Sequence, residues 1–244
     1  MKSNARAENE IRHGAFVVQQ GEQIWNWSSL AGQRRWQRRA DLFSSFLGNN
    51  EKSVLEMGCG TGLFTAELIK TKNQITAIDI SQDLLDIAQK RVGKNALFLV
   101  RDAHQSGFPD NLFDFVVGSS VLHHFAVESA LPEIYRIIKP GGKFMFTEPN
   151  MLNPQIFLQK NISFFKKMAG DSLDETAFFR WFVLNKISKA GFENVVVEPF
   201  DFMHPALPEF LLDYGNPIFI FLEKTPLVRE FAGSLMIIGG KPRT

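Results

Sequence analysis

The run Val54-Leu55-Glu56-Met57-Gly58-Cys59-Gly60-Thr61-Gly62 constrains this chain more than any other stretch. A short apolar strand enters a loop with glycine at every second position, and a helical pattern starts at Leu63. Glycine tolerates φ > 0 and lets a ligand lie against the backbone with no Cβ in the way. A strand, a glycine loop and a helix open a parallel α/β sheet, in which ligands bind beyond the C-terminal ends of the strands. The spacing also separates ligand classes. A dinucleotide pyrophosphate site places its third glycine three residues after the second. Here Gly62 is two after Gly60, and the third position is Leu63. That argues against a nicotinamide dinucleotide and for a ligand without phosphates.

The rest of the middle of the chain alternates as this opening requires. Strands are predicted at 53–57, 74–79, 96–100, 113–118 and 143–147, with helices between them. Ser81 is placed to cap a helix whose apolar face is Leu84, Leu85, Ile87, Ala88 and Val92. A helix containing 131–138 stops before Pro140-Gly141-Gly142. Further on, 178–190 reads as a helix ended by Gly191, and 194–199 and 233–239 read as strands. The pattern predicts a Rossmann-like, doubly wound α/β sheet with right-handed crossovers and helices on both faces.

Three regions stand outside it: an N-terminal helical arm over residues 1–48, and insertions at about 150–175 and 204–231 that would cap the C-terminal edge of a domain spanning 49–244. The arm carries Trp25, Trp27 and Trp36 and the arginines Arg34, Arg35, Arg38 and Arg39, which read as one solvated helix face or as a site for an anionic acceptor. The insertions hold many of the 24 phenylalanines, against two tyrosines in the whole chain. Phe157, Phe164, Phe165, Phe210, Phe219 and Phe221 would pack a lid, line an apolar acceptor pocket or touch a membrane surface.

Charge and cysteine usage narrow the classes further. With 27 basic and 26 acidic residues, no global field draws the chain to nucleic acid, and a nucleic-acid partner is not expected. The single cysteine, Cys59, excludes an intrachain disulfide framework, and no metal-ligand spacing stands out. The N-terminus lacks the apolar core of a secretory signal, and apolar runs such as 218–222 are far shorter than the roughly 20 residues that span a bilayer. A cytoplasmic location is the resulting expectation.

Two acidic residues follow the glycine loop in a telling order. Asp79 ends the second strand, 17 residues beyond Gly62, where a carboxylate accepts from ribose hydroxyls; Ile80 beside it would pack on an adenine face. Asp102-Ala103 follows the third strand, where a carboxylate and an N–H would read the adenine edge. With VLEMGCGTG (54–62), ITAIDIS (75–81), RDA (101–103), FDFVVGSSVLHHF (113–125) and IIKPGGKFMFTEPN (137–150), the chain resembles the class I S-adenosylmethionine-dependent methyltransferases. Within them it is similar to the methyltransferase type 11 group that includes ubiquinone- and menaquinone-biosynthesis enzymes. The likeness covers residues 53–150, with an echo at Ala190-Gly191-Phe192 and the final strand.

That resemblance implies a seven-stranded sheet, mostly parallel with an antiparallel last strand, and S-adenosylmethionine as cofactor. It implies that Glu56 and the Gly58, Cys59, Gly60 and Gly62 loop hold the methionine and ribose portion, that Asp79, Ile80, Asp102 and Ala103 hold the adenosine, and that Ser119 contacts the methionine amino group through its backbone. Trp27 would fold over the cofactor. A sulfonium methyl is already activated, so the protein's main task is in-line positioning and exclusion of water. If the acceptor is a hydroxyl, His123 and His124 are placed as general bases, while His204 is a weaker candidate and His13 reads as part of a mobile tail. The expected acceptor is small or medium-sized, apolar or carrier-bound, and methylated at oxygen, carbon or nitrogen. Two rivals are a cofactor-binding regulatory subunit without turnover and a nicotinamide-dependent oxidoreductase, the latter disfavoured by the glycine spacing.

Overall fold

The computed structural model describes residues 2–21, 27–49, 51–168, 176–204, 207 and 209–243. Trp25 and parts of both insertions (169–175, 205–206 and 208) lie outside them. Seven strands form one sheet: β1 Ser53–Met57, β2 Gln74–Asp79, β3 Leu97–Val100, β4 Phe113–Ser119, β5 Ile138–Pro149, β6 Glu193–Phe200 and β7 Ser234–Gly240. Their order is β3-β2-β1-β4-β5-β7-β6. β1 pairs in parallel with both β2 and β4, and the chain reverses direction across the sheet at that point. A crevice opens there between loops that diverge from the strand ends. β7 runs antiparallel to β5 and β6, so β7 alone opposes the other six.

The period-2 alternation of the strands feeds two apolar layers. Leu55, Val116, Phe144 and Phe146 face one layer, closed by α5 (Val127–Ile137) and α8 (Arg180–Lys189) through Ile134, Ile137, Val183 and Ile187. Their neighbours Val54, Val117 and Met145 face the other, closed by α2 (Leu30–Leu47) and α3 (Thr65–Leu68) through Phe43, Leu47 and Leu68. Ala77 meets Leu85 of α4 (Gln82–Val92). Ser81 caps α4 as the sequence suggests, its side chain accepting from Leu84 N–H.

Two boundaries differ from the sequence reading. β5 begins at Ile138 rather than 143, because Ile138 pairs with Phe113 ahead of an irregularity that re-registers Lys143 against Phe115. The helix read from Leu63 shortens to α3 and a 3-10 turn at Ile69–Thr71. The arm is helical, α1 covering Lys2–Gln20 before α2. The insertions hold α6 (Pro154–Asn161), α7 (Ser163–Met168) and α9 (Glu209–Lys224). Among the described residues no helix is long and apolar enough to cross a membrane.

Candidate active site

A cavity of about 830 Å³ opens at the C-terminal edge of β1–β4, within the usual ~300–1,000 Å³ range for small-molecule sites. It gathers Glu56, Gly58, Cys59, Gly60, Asp79, Ile80, Asp102, Ala103, Ser119, His124 and Trp27. The three glycines differ in task. All have positive φ, but a Cβ on Gly58 would lie 2.0 Å from the Val121 side chain and one on Gly62 2.8 Å from Ala88 Cβ, whereas one on Gly60 meets nothing within 4 Å. Gly60 therefore leaves the open face of the cradle, while Gly62 lets the loop pack on α4 and does not itself line the cavity.

Carboxylates supply the cavity's electrostatics. Asp79 Oδ2 accepts from Gly60 N–H at 2.9 Å and Oδ1 from Ser81 N–H at 2.9 Å, which ties the glycine loop to the end of β2. Burial raises the Asp79 pKa, against the pull of those N–H groups. Glu56 is 4% exposed and accepts from Thr65 Oγ1 at 2.6 Å. Burial first, and Asp79 further, push its pKa up to about 8. Burial likewise raises the Cys59 thiol well above its ordinary value, which fits a small packing residue rather than a nucleophile. Asp102 Oδ1 accepts from His104 N–H at 2.8 Å and lies 2.7 Å from His104 Nδ1. Ala126 N–H donates to His104 Nε2 at 3.0 Å, so the proton sits on Nδ1 and points at Asp102.

The two histidines after β4 part company. His124 lines the cavity, with Nδ1 2.9 Å from a Glu10 carboxylate oxygen. His123 is 3% exposed and is not among the residues lining the cavity. Its Nδ1 lies 2.6 Å from Glu148 Oε2, and Glu148, fully buried, also accepts from Val121 and Leu122 N–H at 3.0 and 2.8 Å. Of the two candidates, His123 thus anchors the turn and His124 is the one that lines the cavity. His204 is exposed and lies outside the cavity lining.

The arm contributes more than the sequence reading allowed. His13 is not in a tail; it lies on α1, its ring 5.9 Å from that of His124, and it lines the cavity with Arg6, Asn9, Glu10, Gly14 and Val17. Arg6 donates to the carbonyls of His124 at 2.5 Å and His123 at 3.1 Å, clasping α1 to the turn after β4. The arginines of α2 are not one solvated face. Arg39 is 5% exposed and donates to Ser234 Oγ at 2.6 Å and Ser120 Oγ at 3.3 Å. Arg35 pairs with Asp201 at 2.7 Å and Arg38 grips Glu223 with both terminal nitrogens. Ser120, which lines the cavity at φ 54, and His104 had no signal in the sequence. The insertion phenylalanines are absent from the cavity lining.

Comparisons with known proteins agree with this geometry. A family model described as "Methyltransferase domain" matches residues 55–146. A demethylmenaquinone methyltransferase of Staphylococcus epidermidis is 26% identical over 219 residues, which cover 80% of this chain and 90% of that enzyme. A malonyl-[acyl-carrier protein] O-methyltransferase of Serratia marcescens is 32% identical over 97 residues, 39% of this chain and 38% of that one. The phosphoethanolamine N-methyltransferase 2 of Haemonchus contortus, solved with S-adenosyl-L-methionine, shares the fold at TM-score 0.60 and 20% identity, over 84% of this chain and 52% of that one. Fold, cavity and matched motifs together define a class I S-adenosylmethionine-dependent methyltransferase. More narrowly, it is residues 55–146, which include the glycine loop, Asp79, Asp102 and His124, that match the family model. The chemistry of the cavity fits this cofactor: an open glycine face beside carboxylates suits a ligand bearing an ammonium and a sulfonium but no phosphate.

Proposed function

We propose that this enzyme methylates a hydroxyl of a small, apolar or carrier-bound acceptor, with His124 as general base. The observation that carries this reading is the arrangement at the cavity wall: Glu56 and Asp79 lie in the last two residues of β1 and β2, Asp102 follows β3, and His124 faces the same space after β4. The Asp79 carboxylate would accept from the ribose hydroxyls, Ile80 and Ala103 would flank the adenine, and Asp102, its orientation set by His104, would read the adenine edge. Glu56 and the Ser119 backbone would hold the methionine ammonium, and Trp27 and α1 would exclude water. The cofactor supplies a methyl group on a positively charged sulfur. As the acceptor oxygen gains that methyl, His124 would take its proton at Nε2, with Glu10 beside Nδ1 stabilising the imidazolium. The named activities of the two relatives, on a demethylated menaquinone and on a carrier-bound malonyl group, support an apolar or carrier-bound acceptor.

The first test is calorimetric titration of wild type and Asp79→Ala with S-adenosylmethionine and S-adenosylhomocysteine. The substitution should weaken binding by about 1.5–3 kcal/mol, the worth of hydrogen bonds to a charged group. Turnover with labelled cofactor on quinol and acyl-carrier-bound acceptors then reads the base. Glu10→Gln should lower kcat, and His124→Ala should cost about 10²–10⁴-fold with cofactor affinity kept. Cofactor binding with no turnover on either acceptor class would favour the regulatory-subunit reading instead.

A further inference from the structure

The loop after β3 and the turn after β4 both line the cavity, and one side chain joins them. His104 stands between Asp102 of the loop and Ala126 of the turn, 22 positions further on. Its Nδ1 lies 2.7 Å from Asp102 Oδ1, and its Nε2 accepts from Ala126 N–H at 3.0 Å. A backbone N–H can only donate, so Nε2 holds the lone pair and Nδ1 carries the proton towards Asp102. His104 N–H also donates to Asp102 Oδ1, at 2.8 Å. Both bonds fall on that one oxygen and leave Oδ2 for a ligand donor, on a side chain that is 36% exposed. At the far end of the ring, α5 starts at Ala126 without a side-chain cap. Phe125 packs edge-on against His104, ring centroids 5.6 Å apart, and His124, Phe125 and Ala126 line the cavity together.

We propose that His104 is a positioning residue that couples recognition of the adenine to the turn carrying His124. The proposal rests on the methyltransferase reading, which puts an adenine against Asp102 and Ala103. That base offers a 6-amino donor beside the N1 acceptor, so Asp102 Oδ2 takes the first and Ala103 N–H gives to the second. With Oδ1 held twice by His104, the carboxylate keeps one orientation, and only a base with a donor at position 6 satisfies it. The base in turn fixes Asp102, Asp102 fixes the ring through Nδ1, and the ring fixes Ala126 through Nε2. Ala126 lies two residues beyond His124, so the link ends next to the proton acceptor. Arg6 holds this turn by its carbonyls, whereas His104 holds it by an N–H. A helix start that needed only stability is served by Ser, Asp or Asn as its own cap. A ring reaching over from the adenine loop makes the start of α5 depend on what that loop has bound.

The test separates the two ends of the ring. His104→Asn keeps a donor where Nδ1 stands and has nothing at Nε2, while His104→Gln keeps an acceptor where Nε2 stands and has nothing at Nδ1. Calorimetry compares S-adenosylhomocysteine with S-inosylhomocysteine, whose base has an oxygen at position 6 and an N–H at N1. Wild type should prefer the adenosyl ligand by at least about tenfold, as expected for a hydrogen bond to a charged group. His104→Asn should keep that preference, and His104→Gln should lose about three- to tenfold of it. Amide hydrogen exchange at Ala126 reads the other end. In the free protein Ala126 should stay protected in His104→Gln and exchange faster in His104→Asn, and S-adenosylhomocysteine should slow it further in wild type alone. Each variant thus keeps one readout as in wild type, which reports an intact fold. If both readouts change together in each variant, or neither changes, His104 is only structural and the proposal is overturned. Equal slowing of Ala126 by the ligand in all three proteins overturns it too, as does equal binding of the two ligands by wild type. Wild type that binds neither ligand strikes the methyltransferase reading instead, so the two failures are distinct.

Discussion

At the scale of single residues the carboxylates at the strand ends set the chemistry of the site, and Glu56 is the clearest case. Held away from water beside Asp79, it has a pKa near 8 instead of the ordinary 4.5. The folded, cofactor-free protein therefore keeps a proton that the unfolded chain releases, so stability is lost as pH rises from 4.5 through about 8. Asp79, also raised by burial, works in the same direction. Thermal unfolding of the cofactor-free enzyme should show a midpoint that falls across that window. Glu56→Gln retains an oxygen for Thr65 to donate to and removes the titration, so its midpoint should fall markedly less. Equal slopes for the two proteins would mean that Glu56 is ionised throughout. A cationic ligand beside the carboxylate favours ionisation, so cofactor binding near pH 7 should release a proton, visible as a buffer-dependent binding enthalpy. The residues that create this chemistry were legible because each sits at the end of a strand, a place marked by the change from apolar run to turn. His104, Glu10 and His13 were not legible. Their roles come from contacts such as that of His124 with Glu10, 114 positions apart, which no local pattern encodes.

At the scale of elements, the β1–α3 turn separates two uses of glycine that look alike in sequence. Gly60 and Gly62 both hold positive φ, of 53° and 77°. A methyl on Gly62 meets Ala88 Cβ at 2.8 Å and Cα at 2.9 Å, whereas one on Gly60 projects into the open cavity. Gly62→Ala should therefore lose about 1–3 kcal/mol or more in urea denaturation through overpacking added to backbone strain. Gly60→Ala should lose less stability and more cofactor affinity, read by calorimetry. The reverse ranking would mean that the loop shifts on substitution. The order of elements was readable throughout, since β-branched and apolar runs alternate with helical periodicity and turn residues mark the joins. Element ends were less so: the Ile138 pairing with Phe113 that starts β5 depends on a strand partner, not on the Pro140-Gly141-Gly142 signal.

At the scale of the whole molecule, the question is what holds the N-terminal arm and the C-terminal strands as one enzyme. Asp201, at the end of β6, takes Arg35 of α2 at 2.7 Å and lies 3.7 Å from Arg39, and its own N–H donates to Glu223 of α9 at 2.8 Å. Its side chain is 2% exposed, and those of Arg35 and Arg39 are 14% and 6% exposed. Burial, with Arg35 close by, lowers the Arg39 guanidinium to about 10. The sequence showed a cluster of arginines on one helix, which by itself reads as solvated; only the carboxylates brought from 160 and more residues away turn it inward. Two buried cations against one carboxylate make Asp201 the member whose loss leaves most charge uncompensated. Asp201→Asn keeps the size and the left-handed backbone at φ 75. It should cost on the order of 3 kcal/mol in urea denaturation, because removing one partner of a buried pair strands the other. Arg38→Ala, at a pair whose arginine side chain is 40% exposed, should cost about 1 kcal/mol or less. If the two variants lose the same small amount, water reaches the Arg35–Arg39 site, and α2 is held to the sheet chiefly by apolar contacts such as those of Phe43, Phe46 and Leu47.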